Sequence, residues 1–260
     1  MKKLWFSSLV PALIFPMLFL IISCGAQDLF SVREIHSTWT PQYSNVIQYL
    51  SMSGSSFGDG NAFSSQLGEN GTTRNPNGGG MSSTAGTVNL AVRFDGHDDR
   101  IVIPFVYSLN SFFSLSVWVN PTAFGANRCI LTSKDDSPAR GFSLCLNTAG
   151  FAEAMVGQGG ATGNWVTATG TTALLENIWT HLVITYDGAN LRLYKDGILE
   201  ASPVSLLAIN IGKPTYIGAA GTENSPAANS FFEGVIDEVA IWNSVLSQIE
   251  IEKIHLKQKR

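Results

Sequence analysis

The stretch WTHLVITYDGANLRLYKDGILEAS, Trp179 to Ser202, carries two Asp-Gly pairs nine residues apart, each set between β-branched and aromatic runs. Asp-Gly favours two-residue hairpin turns because both residues tolerate the positive φ that such turns demand. Leu191 and Leu193 fall on one side of the alternation, while Arg192 and Lys195 can reach water. This stretch predicts a three-strand antiparallel meander.

The same cadence extends on both sides of it. VNLAVRF (88–94) places Val88, Leu90, Val92 and Phe94 at the two-residue period of a half-buried strand, and RIVIP follows. SLSVWVNP, RCILTSKDDSPARGFSLCL, FAEAMVG and NWVTATG continue the pattern before the meander, and VIDEVAIWN (235–243) comes after it. Strand signals recur about every eight to twelve residues with Gly, Asn, Asp and Pro between them, which is the spacing of a sandwich or barrel. Upstream, VIQYL (46–50) predicts a first strand. Residues 51–87 are rich in Gly, Ser, Asn and Thr and read as long loops around a short strand near Gln66–Leu67. At the other end, Ser247 and Glu250 fit an S-x-x-E capping box, with Leu246 and Ile251 placed for the accompanying staple. One short helix is expected there, followed by KIHLKQKR as a solvated tail.

The first residues address the chain rather than build its fold. Lys2 and Lys3 precede an apolar stretch from Leu4 to Ile22, interrupted by Pro11 and Pro16. Ile21-Ile22-Ser23-Cys24 resembles a bacterial lipobox. The organisation expected is therefore a signal peptide over 1–23, lipidation at Cys24, a tether over 24–43 and a folded domain over 44–260, held on a membrane by its acyl chains. An uncleaved membrane anchor is the alternative reading. The chain has 260 residues and a net charge of −4, and loss of Lys2 and Lys3 leaves 14 basic residues against 20 acidic, a net of −6. Nucleic-acid binding is excluded, since it rests largely on neutralising phosphates.

Two cysteines remain after Cys24. Cys129 and Cys145 are equidistant from Ser137, so a hairpin turning there would place them opposite each other. An even pair in an exported chain suggests a disulfide, with two free thiols as the alternative.

Taken in order, VRFDGHDDRIVIP, FSLSVWVNP, NIWTHLVITYDGANLRLYKDG, PTYIGA and FFEGVIDEVAIWNSVLSQIEI resemble the bacterial form of the laminin-G-like, concanavalin-A-like jelly roll, from about Val88 to Ile254. The resemblance implies an all-β protein: an antiparallel β-sandwich of two packed sheets, ending here in one short C-terminal helix. Members of the family bind sugars, proteins or calcium, and the fold does not dictate which. The resemblance also implies a structural calcium between the first and last strands, to which Asp237 would supply a carboxylate. The family expects a partner acid near the first strand, but VIQYLSMSGS has none; Asp95 of the acidic corner is the other candidate ligand.

FDGHDDRIVIP (94–104) reads as a corner between two strands, with Asp98 and Asp99 capping exposed backbone N–H groups, or as a contributor to a calcium site. His36, His97, His181 and His255 lie in dissimilar contexts and do not suggest zinc. His181 reads as a core histidine with a satisfied ring. Trp118, Trp179 and Trp242 read as filling of the sandwich. Trp165, after the run GQGGATGN, reads as a stacking platform for sugar rings or as an anchor for its own strand. Catalysis finds little support. The E-x-D-x-x-E strand of glucanases with this architecture is absent, and Glu153 stands alone on its strand. Asp237 and Glu238 are adjacent, so a regular strand would send them to opposite faces. The function expected is non-catalytic recognition of carbohydrate or of an envelope or host protein, at the bacterial outer membrane, cell surface or periplasm. A glycan-active enzyme and a structural envelope lipoprotein are the alternatives.

Overall fold

The computed structural model describes residues 45–104, 112–160, 163–206, 213–222, 225–226 and 230–259. The signal segment, the tether, Cys24 and His36 lie outside the described residues. Within them the chain runs through β1 (Val46–Leu50), β2 (Ala62–Phe63), β3 (Gly71–Arg74) and β4 (Ser82–Ala85). β5 (Leu90–Asp95), β6 (Arg100–Ile103), β7 (Phe113–Pro121), β8 (Arg128–Asp136), β9 (Ala139–Leu146) and β10 (Ala152–Gly157) follow. Next come β11 (Trp165–Thr169), β12 (Thr180–Tyr186), β13 (Leu191–Lys195), β14 (Ile198–Ala201) and β15 (Thr215–Ile217). A ribbon of β16 (Gly221–Thr222) and β17 (Ser225–Pro226) precedes β18 (Glu233–Trp242) and the helix α1 (Gln248–Gln258).

These strands form two eight-stranded antiparallel sheets. The first has the order β14-β13-β12-β7-β18-β5-β4, with β1 also paired to β18; the second has the order β11-β10-β9-β8-β15-β6-β3-β2. The jelly-roll sandwich and its single terminal helix are therefore as expected, and the meander is β12-β13-β14. The Gly/Ser-rich stretch holds three short strands that composition hid, whereas Gln66–Leu67 contributes only an isolated bridge from Leu67 to Tyr49. Alternation explains the core. Phe113, Leu115, Val117 and Val119 of β7 point inward with Leu182 and Ile184 of β12, and meet Phe142, Leu144 and Leu146 of β9 from the other sheet.

The outer face of the first sheet is buried as well over its middle strands. Its central strand β12 is buried at every position, which a half-exposed strand would not be. The cover is α1, whose Ile251, Ile254, His255 and Gln258 are buried, so residues 253–258 of the expected solvated tail belong to a helix with one buried side and one exposed side. The capping box of Ser247 and Glu250 starts that helix as expected. Beneath it, the rings of Trp118 and His181 stack at 5.0 Å and those of Trp118 and His255 at 5.3 Å. Trp118 thus fills the sheet–helix layer, not the space between the sheets. Its Nε1 donates to Gln258 Oε1 (2.9 Å), and Gln258 Nε2 donates to Glu238 Oε2 (2.8 Å).

His181 is fully buried, with Nε2 at 2.8 Å from Ser116 Oγ, but its Nδ1 has no partner, so the ring is only half satisfied. Burial, and then the charge of His255, depresses its pKa to about 3.

The β8–β9 hairpin carries the disulfide Cys129–Cys145. Its geometry differs from the expected symmetry about Ser137. Asp136 faces Ala139 and Leu131 faces Leu144, so the axis lies between Ser137 and Pro138. A bulge between Cys129 and Leu131 shifts the register by one and puts Cys129 opposite Cys145. The bulge also turns both Ile130 and Leu131 to the core and Cys129 outward.

Replacing both internal cysteines with serine should lower the unfolding free energy by about 3 kcal/mol, the chain-entropy value for a loop closed by residues 16 apart, as read by urea titration. His181 should make acid destabilising: below pH 6.5 the unfolded chain binds a proton there that the folded chain refuses down to about 3. Unfolding free energy should therefore fall on acidification through that window, and His181→Gln should remove that part of the slope. Asp237, with its folded pKa raised to about 7, acts in the opposite sense, so the histidine is isolated by comparing the two proteins at each pH.

Candidate binding face and acidic corner

With the first sheet roofed by α1, the β8–β11 half of the second sheet presents its outer face, where Thr167 and Thr169 are exposed. A depression of about 150 Å³ lies on it. The disulfide and Met155 line its floor, and Asn127, Lys134, Ser143 and Glu153 supply polar groups around it. Cross-strand register explains the grouping. Met155 faces Ser143, and Glu153 faces Cys145 on one side and Thr169 on the other. Glu153 Oε1 accepts from Asn147 Nδ2 (3.0 Å), which holds the carboxylate in place.

Trp165 opens the edge strand β11, half-buried, with Lys134 Nζ 5.7 Å from its ring centroid. Lys134 also donates to Asp136 Oδ1 (2.9 Å). The tryptophan is both the first residue of its strand and an aromatic surface beside the depression. Sequence reading found Trp165 and the cysteines but did not join them. Lys134 and Glu153 reach the same place only through the β8–β9–β10 pairing, and no local signal marks them.

The acids fall into two separate places. Asp95 pairs with Glu233 on β18, four residues before Asp237, so the structure does not bring Asp95 and Asp237 together. Asp237 is fully buried. Its Oδ2 accepts from the backbone N–H groups of Thr87 (2.7 Å) and Val88 (3.1 Å) and from Thr87 Oγ1 (3.0 Å), and its Oδ1 accepts from Glu238 N (3.0 Å). Four protein donors already supply the positive dipoles that a cation would bring, so this carboxylate does not fit the calcium role the resemblance implies. A bulge between Asp237 and Ala240, with Glu238 at φ +52°, changes the alternation. Both acids consequently sit on the helix-covered side instead of on opposite faces. Glu238 Oε2 accepts from Tyr49 Oη (2.7 Å), and burial together with the Asp237 charge holds its pKa well above the carboxylate range.

The stretch FDGHDDRIVIP is where the chain passes from β5 in the first sheet to β6 in the second. Phe94 is buried, Gly96 takes φ +81°, and Asp99 Oδ2 accepts from Asp95 N (2.9 Å). The corner reading holds, with Asp99 as its backbone cap. Burial, opposed by that backbone bond and reinforced by Asp95 and Asp98, pushes the Asp99 pKa up to about 7.

Two packed antiparallel sheets with this crossing pattern, and with a concave feature on the uncovered sheet, define a lectin-like jelly-roll sandwich. Residues 94–252 match the laminin-G-like family described as the Concanavalin A-like lectin/glucanases superfamily, and the chain belongs to it. Among solved structures, domain 4 of AbnA, a GH43 extracellular arabinanase from Geobacillus stearothermophilus in complex with arabinotriose, is similar with a TM-score of 0.59 at 19% identity, covering 82% of this chain and 100% of that domain. A mutant of Trypanosoma rangeli sialidase displaying trans-sialidase activity gives 0.63 at 14% identity, over 92% of this chain and 39% of the sialidase chain. The receptor binding domain of botulinum neurotoxin type G gives 0.60 at 18% identity, over 83% of this chain and 52% of that one. These likenesses establish the fold. No curated protein matches the sequence.

Proposed function

We propose that this chain is a non-catalytic module that binds carbohydrate on the outer face of its second sheet, displayed on the bacterial envelope by a lipid on Cys24. The observation that carries the reading is the depression floored by the Cys129–Cys145 bridge, with Trp165 and Lys134 at one side and Glu153 among its lining. An aromatic face suits the apolar face of a sugar ring, and the charged and amide groups suit its hydroxyls. The structure of the arabinanase domain with arabinotriose lends support, as that fold can present a sugar site.

Support for binding without turnover comes from the placement of the acids. The cross-strand neighbours of Glu153 are Cys145 and Thr169, so no second carboxylate faces it across the ladder. A retaining glycosidase needs a pair about 5 Å apart. Asp237 and Glu238 are both fully buried, Asp237 against Thr87 and Val88 and Glu238 against Tyr49 and Gln258. Envelope display rests on the lipobox-like sequence before Cys24; among the described residues no helix is long and apolar enough to cross a membrane.

The full chain in detergent, applied to an oligosaccharide array, should retain a subset of glycans and leave them intact on long incubation. Trp165→Ala should weaken retention about tenfold, the loss of roughly 1.4 kcal/mol of stacking. Cleavage of a retained glycan that Glu153→Gln abolishes would make the chain an enzyme instead. Binding to matrix or envelope proteins with no glycan retained would replace the sugar with a protein ligand.

A further inference from the structure

The helix α1 carries apolar residues on two sides. Ile251, Ile254, His255 and Gln258 mark the buried ridge that lies on the first sheet. At 3.6 residues per turn, Ile249 and Leu256 fall roughly opposite the centre of that ridge, on the crest farthest from the sheet. Both stand largely in water, Ile249 63% and Leu256 69% exposed. Scattered single aliphatics are ordinary on a protein surface. Two on one crest, separated by two turns and so by about 10 Å, form a line instead. Exposed Ile198 widens it, because Gln248 Nε2 donates to Gly197 O (2.5 Å) and holds the β13–β14 turn beside the first turn of the helix.

Positive charge accompanies this line. KIHLKQKR (253–260) has four basic residues and no acid, whereas the rest of the chain beyond Cys24 has 10 basic residues against 20 acidic. Lys253, Lys257 and Lys259 are exposed, and among the described residues none of them makes an ion pair. The two acids of the helix are engaged within its first turns: Glu250 Oε2 accepts from Ser247 N (2.7 Å), and Glu252 Oε1 accepts from Gln248 Nε2 (2.8 Å). The chain also enters the fold close by. Asn243, four residues before the Ser247 cap, donates through its backbone N–H to Asn45 O (3.0 Å), where the described chain begins. The segment that leads back to Cys24 thus joins the sandwich at the strand end from which α1 departs.

We propose that the exposed face of α1 is a membrane-docking surface that rests on anionic phospholipid. Ile249, Leu256 and Ile198 enter the headgroup boundary, and Lys253, Lys257 and Lys259 meet the phosphates. Interfacial helices bind bilayers in this way, through apolar area together with the attraction of lysines to anionic lipid. The inference rests on the envelope display proposed above and adds to it the face that meets the bilayer. Since α1 covers the outer face of the first sheet and the depression lies on that of the second, docking turns the candidate sugar site away from the membrane. A second copy on this face would set one positive strip against another, which disfavours it.

The full chain with Cys24→Ser and Leu256→Cys has one free thiol for a spin label, and the apolar stretch Leu4–Ile22 still holds it on vesicles. On phosphatidylglycerol vesicles the label should be shielded from a water-soluble nickel complex and open to oxygen, while a label at Thr167→Cys on the second sheet stays in water. Both positions are exposed, so neither change disturbs the core. Lys253→Gln, Lys257→Gln and Lys259→Gln should each lower the ratio of docked to undocked label roughly fivefold, and phosphatidylcholine vesicles should lower it as well. A chain that floats with the vesicles while its Leu256 label is as open to nickel as the Thr167 label overturns the docking face and leaves envelope display standing. Shielding that appears in detergent without vesicles and grows with protein concentration overturns it too, with a second copy as the occupant. Failure of the labelled chain to float on anionic vesicles is equally fatal. Mass analysis of the wild-type chain reads the acyl group separately: its absence, with Leu256 shielded, removes the lipid on Cys24 and keeps the docking face.

Discussion

The middle strands of the first sheet, β7, β12 and β18, are buried on both faces, and that constraint organises the rest of the molecule. The sheet's inner face meets the second sheet through Leu115, Val117, Leu182 and Ile184, as alternation requires. Its outer face carries Ser116, Trp118, His181, Asp237 and Glu238, and polar atoms removed from water must find partners. Several find them in α1, β1 and the β4–β5 loop: Gln258 bridges Trp118 and Glu238, Tyr49 donates to the same Glu238 oxygen, Thr87 and Val88 donate to Asp237, and His255 closes the ring stack. Because α1 is committed there, the second sheet is left as the surface free to recognise a ligand.

That surface depends on a register device. Without the bulge at Ile130 the hairpin would set Cys129 off by one from Cys145, and Cys129 would point the wrong way for a bridge on the outer face. The bulge sends two consecutive aliphatic residues into the core and lifts the disulfide to the floor of the depression. A staple formed for stability thereby also shapes the candidate site, with Lys134 and Trp165 on its flank.

Glycine and carboxylate chemistry share the work at the corner from β5 to β6. Gly96 supplies the positive φ, Asp99 caps the turn, and the glycine loop closes over the acids because nothing larger fits at Gly80. The same few residues act as a turn and as a concentration of negative charge.

Local chemistry announced an all-β chain with the strand spacing of a sandwich or barrel, and the family resemblance chose the sandwich. Asp-Gly turns, two-residue alternation and the Ser247–Glu250 box are short-range signals, so the meander, the strand VIQYL and the start of the helix were all legible. The short strands inside the Gly/Ser-rich segment were not, since strands of two to four residues leave no periodic trace and form only by pairing with their neighbours. Nor was the helix's buried side: its apolar positions make sense only once the polar outer face of β7, β12 and β18 lies beneath them. Trp165, Cys129, Cys145, Asp95 and Asp237 could each be named from the sequence. Which of them share a site was decided by tertiary structure, because bulges at Ile130 and Glu238 reset the alternation and cross-strand register joins residues that are distant along the chain.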